Sequence, residues 1–264
     1  ILTYILCVEE MSKVCGTTGV IVSGHTSLCC DPILHYGTEE QKMKYLPDLA
    51  TGKKIGAFGL TEPGAGTDAQ GQQTVAVLED DHWVLNGSKI FITNAGYASV
   101  FIIIAVTGTV LDKKGRKLKE ISAFIVDRDA PGFSVGKPEN KMGIRGSSTC
   151  ELIFEDCIIP KDALLGPKGK GFQIAMGTLD GGRIGIAAQA LGISEGAIDE
   201  TVKYVEERVQ FGRRIGAFQN TQFELAKMMA STQAAQHLVY AAACKKEAVN
   251  NGLHDRYSVE AAMA

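Results

Sequence analysis

Apolar residues recur at helical spacing from Thr3 to Val14, with Glu9, Glu10 and Lys13 on the outer side. A second apolar segment, Val20 to Tyr36, carries Ser23, His25, Thr26, Ser27, Cys29 and Cys30, small polar residues of the kind that satisfy buried helix packing. Thr38-Glu39-Glu40-Gln41 has capping-box spacing and starts a third helix, which Pro47 is expected to end. From residue 54 the period changes. Ile55–Leu60, Thr74–Leu78, Trp83–Leu85, Lys89–Thr93, Phe101–Val106, Ser122–Val126 and Glu151–Phe154 are short apolar or alternating runs bounded by Gly, Pro, Asn or Asp, and predict strands. Asn86-Gly87 between two such runs predicts a hairpin turn. The Lys-rich stretch Leu111 to Glu120 (Lys113, Lys114, Arg116, Lys117, Lys119) reads as a solvated loop.

Beyond residue 160 the helical period returns. One long pattern runs from Phe172 to about Phe211, where Gly212 ends it. A second runs from about Phe218 to Val249, and a third begins near Tyr257. Gly181-Gly182 inside the first would cost roughly 1 kcal/mol each against Ala, so something packs closely against that turn. The element order predicts an α+β chain in three parts: helices over 1–53, a β-barrel or sandwich domain over 54–160, and a C-terminal helical bundle over 161–264.

Composition narrows the function. A net charge of −3 offers no basic footprint for nucleic acid, and no apolar run approaches the length of a membrane span. Seven cysteines without a Cys-x-x-Cys read as buried thiols in a reducing compartment. The five histidines show no metal-ligand spacing. Both ends of the chain fall inside helical patterns and read as cut.

Candidate chemistry gathers in two stretches. In Gly56-Ala57-Phe58-Gly59-Leu60-Thr61-Glu62-Pro63-Gly64-Ala65-Gly66-Thr67-Asp68, an apolar run breaks into a loop of small residues. Such a loop lets backbone N–H groups approach a ligand, with Thr61, Thr67 and Asp68 adding hydroxyls and a carboxylate. It is neither a Walker A loop nor a dinucleotide fingerprint. The second stretch ends a strand in Thr93-Asn94-Ala95-Gly96, with Phe91 two residues earlier on the same expected strand face. An aromatic with hydroxyl and amide groups beside it suits a flat heteroaromatic ring.

GLTEPGAGTD and GSKIFITNAG, followed in order by KMGIRGSST, FEDCIIP, GRIGIAAQALG and ERVQFGRRI, resemble the acyl-CoA dehydrogenases, the short-chain butyryl-CoA type most of all, over essentially the whole chain. The resemblance implies non-covalent FAD, an acyl-CoA thioester as substrate, α,β-dehydrogenation to the trans-2-enoyl-CoA, electron transfer flavoprotein as acceptor, and a bacterial cytoplasm or a mitochondrial matrix as the compartment. It implies FAD contacts at Phe58, Leu60, Thr61 and Thr67 and at Phe91 and Thr93. Many members carry Trp where this chain has Phe91. Asp180 and Arg183, three apart on the long helix, are implied to contact substrate together with Thr67. Arg208, Phe211 and Gln219 match positions that reach the FAD of a neighbouring subunit, which implies a homodimer or homotetramer. Without the family, Asp180–Arg183 is a surface ion pair and Arg208 a helix C-terminal cap. The family's catalytic Glu lies late in the chain in most members, and is expected beyond Ala264. Some members place it at the position matching Gly182, which cannot take a proton, and Glu195, Glu206 and Glu207 lie too far along the helix to replace it. Two alternatives remain at this point: an acyl-CoA oxidase, or a non-catalytic flavin-binding scaffold of the same fold.

Overall fold

The computed structural model describes residues 1–111 and 114–264. The chain opens with helices α1 (Leu2–Val14) and α2 (Gly16–His25). A π-helical turn over Thr26–Cys30 leads into α3 (Asp31–Tyr36), and α4 (Glu39–Ala50) follows. The strands are β1 (Gly56–Gly59), β2 (Val75–Glu79), β3 (His82–Thr93), β4 (Val100–Leu111), β5 (Lys117–Asp127), β6 (Phe133–Val135), β7 (Thr149–Pro160) and β8 (Leu164–Leu165). The rest is α5 (Gly171–Glu207), a short pair β9 (Val209–Gln210) and β10 (Arg213–Arg214), α6 (Gln219–Asn250) and α7 (Ser258–Met263). This is the expected α+β order of helices, sheet and helices. No helix among the described residues is long and apolar enough to cross a membrane.

The chain forms two compact units, one of residues 24–179 and one of residues 1–23 with 180–264. In the first, a curled eight-stranded sheet runs β6-β7-β3-β2-β4-β5-β8, with β1 parallel to β4. β4 explains why this region reads as apolar rather than alternating. Phe101, Ile103 and Ala105 face one core with Trp83, Leu85, Phe124 and Leu152. Val100, Ile102 and Ile104 face another with Ile33, Leu49, Ile125 and Ile174. A strand covered on both faces has no polar side to show.

The second unit packs α1, α5, α6 and α7 around Ile5, Val8, Ile184, Ala188, Leu191, Val239 and Ala243. At its centre Glu9, expected on the outer side of α1, is instead buried, at 1% exposed. It accepts from the Tyr240 hydroxyl (2.9 Å) and from Gln236 Nε2 (3.1 Å), which also donates to Glu195.

Four further local expectations need correction. Asn86-Gly87 is no turn: β3 runs straight through it, and the β2–β3 hairpin turns at Asp80-Asp81, with Glu79 paired to His82 and Asp80 at φ 50°. Gly87 instead takes φ 139° where the register to β7 shifts, and Asn86 exchanges two hydrogen bonds with Asp156 (3.1 and 2.9 Å). Pro47 sits inside α4 rather than ending it. The carbonyl that Pro47 leaves without an N–H partner belongs to Met43, an exposed residue. The Lys-rich stretch is largely a β-ribbon, since Thr109, Val110 and Leu111 pair with Lys119, Leu118 and Lys117; Lys113 lies outside the described residues. The long helix ends at Glu207, four residues before Phe211, because residues 209–214 form a small hairpin. Its turn, Phe211-Gly212, has both φ angles positive (52° and 76°), which Gly tolerates and which suits a two-residue hairpin.

Candidate flavin site

β1 is short and glycine-rich because it is crowded. A Cβ on Gly59 would come within 2.7 Å of Ile103 and 3.3 Å of Leu152. The strand ends at Gly59, and Leu60-Thr61-Glu62 lead into the loop. Glu62 and Ala65 exchange backbone hydrogen bonds (3.1 Å each), which close the Pro63-Gly64 turn. At Gly64 and Gly66 an added Cβ would meet nothing within 4 Å, so this loop is open rather than wrapped by the protein.

The second stretch meets the first through β3. Between Lys89 and Ile92 the pairing to β7 slips: three steps along β3 match two along β7. This bulge holds Phe91 at φ 59°, a left-handed conformation uncommon for an aromatic residue. It turns the ring outward, leaving it 60% exposed, while Ile92 takes the inward position at 3%. It also leaves the Ile90 N–H free to donate to the Thr61 carbonyl (2.9 Å). Thr61 is thereby held beside the residue preceding Phe91. Strain and exposure of a large aromatic at one point are what a ligand site stores.

The candidate residues separate as follows. The Ile90–Thr61 backbone bond joins the stretch that carries Thr61 to the one that carries Phe91 and Thr93. Phe91 and Thr93 do not share a regular strand face as expected, because the bulge intervenes. Thr67 is exposed further along the open loop. Phe58 and Leu60 are buried at the end of β1 in an apolar cluster with Val100, Ile102 and Ile125.

The remaining candidates belong to the other unit. Asp180 and Arg183 pair on α5 (2.5 Å), and the second Asp180 oxygen accepts from the Ser258 hydroxyl (2.6 Å). Arg183 is half-exposed. Gly181 beside them is where the sequence requires close packing: a Cβ there would lie 2.5 Å from the buried Lys246 Nζ. Arg208 and Gln219 are exposed, and Phe211 is 93% exposed at the tip of the small hairpin. Its ring stands edge-on to Phe218 (6.2 Å), over which Arg213 is stacked (4.1 Å).

Three family descriptions match most of the chain: acyl-CoA dehydrogenase N-terminal domain over residues 1–53, middle domain over 57–157 and C-terminal domain over 169–264. The chain belongs to the acyl-CoA dehydrogenase family. It is 59% identical to the short-chain specific acyl-CoA dehydrogenase of Clostridium acetobutylicum over its full 264 residues, which cover 67% of that protein. Among solved structures it is similar to butyryl-CoA dehydrogenase from Megasphaera elsdenii, at 52% identity and a TM-score of 0.91, covering 99% of this chain and 66% of that one. It is also similar to an acyl-CoA dehydrogenase from Bacillus anthracis complexed with FAD, at 39% identity and a TM-score of 0.86, covering 98% and 44%. The chain thus spans about two thirds of the length of the curated relative, and less of some other family members.

Acyl-CoA dehydrogenases are flavoproteins, and the residues present fit a flavin. Phe91 offers an apolar face large enough for a ring system, turned outward by the bulge. The Thr61 and Thr93 hydroxyls have no hydrogen-bond partner among the described residues and remain available to a ring edge. Behind them lies a group the sequence reading missed: Lys89 and Glu62, a buried ion pair at 2.7 Å. A signal for it exists. Counting by two from Trp83 and Leu85 puts Lys89 on the inward face of β3, where a lysine requires a buried partner.

Proposed function

We propose that this chain forms the flavin-binding part, and part of the acyl-CoA groove, of an FAD-dependent short-chain acyl-CoA dehydrogenase. The observation that carries the proposal is the outward-turned, positive-φ Phe91, whose preceding residue Ile90 donates its N–H to the Thr61 carbonyl. Bound FAD would accept the β-hydride of the thioester, which carries both electrons, while the α-proton goes to a separate base. Phe91 covers one ring face and keeps water from it. The Thr61 and Thr93 hydroxyls orient the ring edge. Thr67, on the open loop, and the Asp180–Arg183 pair contact the acyl-CoA. Ser258 and Arg183 together keep Asp180 in one orientation. Arg208, Phe211 and Gln219 are exposed and able to reach the FAD of a neighbouring subunit, Arg208 through a bidentate contact to its diphosphate. A two-fold dimer, or a dimer of such dimers, is the assembly this requires. The family resemblance supports electron transfer flavoprotein as the acceptor.

The test is an anaerobic titration of the FAD-loaded chain with butyryl-CoA, followed in the visible absorbance of the flavin. Saturable perturbation of the bands, with little or no bleaching, is the expected result. A chain that retains FAD but whose spectrum is indifferent to butyryl-CoA contradicts the substrate assignment.

A further inference from the structure

Lys89 is among the largest fully buried side chains of the protein, and it carries a charge. Its ammonium donates to the Leu60 carbonyl (3.1 Å), to Glu62 Oε1 (2.7 Å) and to Gln72 Oε1 (3.2 Å). A lysine has three donor hydrogens, and all three are used. Glu62, 5% exposed, also accepts the backbone N–H groups of Gln73 (2.5 Å) and Thr74 (3.0 Å). Gln72 is fully buried and turns its amide nitrogen to the Ala69 carbonyl (3.1 Å). One cluster therefore ties three stretches together: 60–62, 69–74 and 89–90.

A buried ion pair is poor evidence for a stability role, because the cost of removing two charges from water offsets their attraction. An apolar pair of similar volume would fill this space as well. What the pair adds is direction: three donor bonds aimed at fixed acceptors allow one arrangement of the three stretches. The atoms so fixed are neighbours of the flavin-site residues. The Leu60 carbonyl directly precedes Thr61, and Glu62 directly follows it. Lys89 stands two residues before Phe91, where the bulge begins. Gln72 closes the loop that carries Thr67.

We propose that Lys89, with Glu62 and Gln72, is a positioning residue for the flavin: its ammonium sets the spacing of the Thr61 loop from the Phe91 bulge, and so how ring edge and ring face are met. This rests on the reading of the site as an FAD site. The charge state is consistent with it. Burial pulls the Lys89 ammonium down to about 8, with Glu62 holding it from falling further. Burial pushes Glu62 up, but Lys89 and the Gln73 and Thr74 N–H groups outweigh it and keep the carboxyl below its ordinary value. Both groups are charged at neutral pH.

The test compares the wild-type chain with Lys89→Met, Glu62→Gln and the double variant. Three quantities are read: thermal midpoint, FAD dissociation constant by fluorescence quenching, and hydrogen exchange at the Ile90 amide in the FAD-free chain. Lys89→Met alone leaves an unpaired buried carboxylate and unfolds early. The double variant removes both charges, keeps an acceptor oxygen for one of the Gln73 and Thr74 N–H groups, and recovers much of the thermal stability that Lys89→Met loses. The proposal expects its FAD dissociation constant to stay at least tenfold above wild type, and its Ile90 amide to exchange faster. A double variant that regains wild-type FAD affinity and Ile90 protection along with its stability overturns the proposal and leaves the FAD site standing. Should the double variant not fold, Gln72→Met removes one Lys89 acceptor, together with the donor to the Ala69 carbonyl, and leaves both charges in place; it is read the same way: weaker FAD and faster Ile90 exchange support the proposal, and wild-type values overturn it. A folded wild-type chain that takes up no FAD overturns the FAD site and the positioning role together.

Discussion

Gly192→Ala tests how closely α1 and α5 are packed. A Cβ at Gly192 would overlap the carbonyl oxygen of Glu9 and lie 2.9 Å from Ser12 Cβ, and four residues on Gly196 meets the carbonyl of Lys13 in the same way. The obstacle is backbone, so α1 itself must move, by more than an ångström, to restore an ordinary contact. That movement opens an apolar seam at Ile5, Val8 and Leu191 and draws Glu9 away from Tyr240. Overpacking of this kind costs up to about 3 kcal/mol. Alanine's better helix propensity returns about 1 kcal/mol. The net is a loss of about 2 kcal/mol, or roughly 4–8 °C in Tm at about 2–4 °C per kcal/mol for a chain of this size. Gly181→Ala is the internal comparison. Its obstacle is the end of a flexible side chain, Lys246 Nζ at 2.5 Å, which can swing aside. Propensity gain and displacement then cancel to within about 1 kcal/mol. Calorimetry or denaturant unfolding of the two variants beside wild type decides the matter. Gly192→Ala as stable as wild type, or Gly181→Ala falling further than Gly192→Ala, refutes the reasoning.

Gly87→Ala should destabilise by about 2 kcal/mol, since its Cβ would lie 2.8 Å from Thr74 Cα at a φ of 139°; a chevron or melting curve like wild type's would contradict this. Thiol labelling at neutral pH should modify Cys15 first, because the Thr18 hydroxyl, then the Thr18 and Thr17 N–H groups, hold its thiol below the usual range. Exposed Cys7 and Cys244 should follow. Burial pushes Cys30 up to about 12 and Cys157 up to about 11, and buried Cys29 also lies well above its ordinary value, so these should react only on unfolding. Mass spectrometry of partial digests reads the order, and early labelling of Cys29 or Cys157 would sink it.

Much of the fold is legible locally, and what is not has an identifiable cause. Thr38 and Gln41 form both bonds of the capping box the sequence spells. The apolar run at the start of β4 announces a strand buried on both faces. Asn86-Gly87 misleads because the same positive-φ capacity that makes a turn also serves a register shift inside a strand, and only the partner strand distinguishes them. Phe211-Gly212 is the converse, a turn read as a helix end. At the candidate site, residue types are legible and their geometry is not. Nothing in Ile90-Phe91-Ile92 shows that a bulge will reverse its faces, since the extra residue is defined by pairing to Cys150 and Leu152 of β7. Lys89 and Glu62 lie 27 positions apart, so their pairing is a property of the folded sheet.

The central claim is that Thr61, Phe91 and Thr93 form one flavin site. It is tested most directly by titrating FAD with the wild-type chain and with Thr61→Ala, Thr93→Ala and Phe91→Ala, each first shown to be folded. Each lost hydrogen bond is worth about 1 kcal/mol, so the Thr variants should bind about fivefold more weakly. Phe91→Ala should weaken binding further and change the flavin spectrum, because it uncovers a ring face. All three variants binding FAD with wild-type affinity and spectrum would contradict the account.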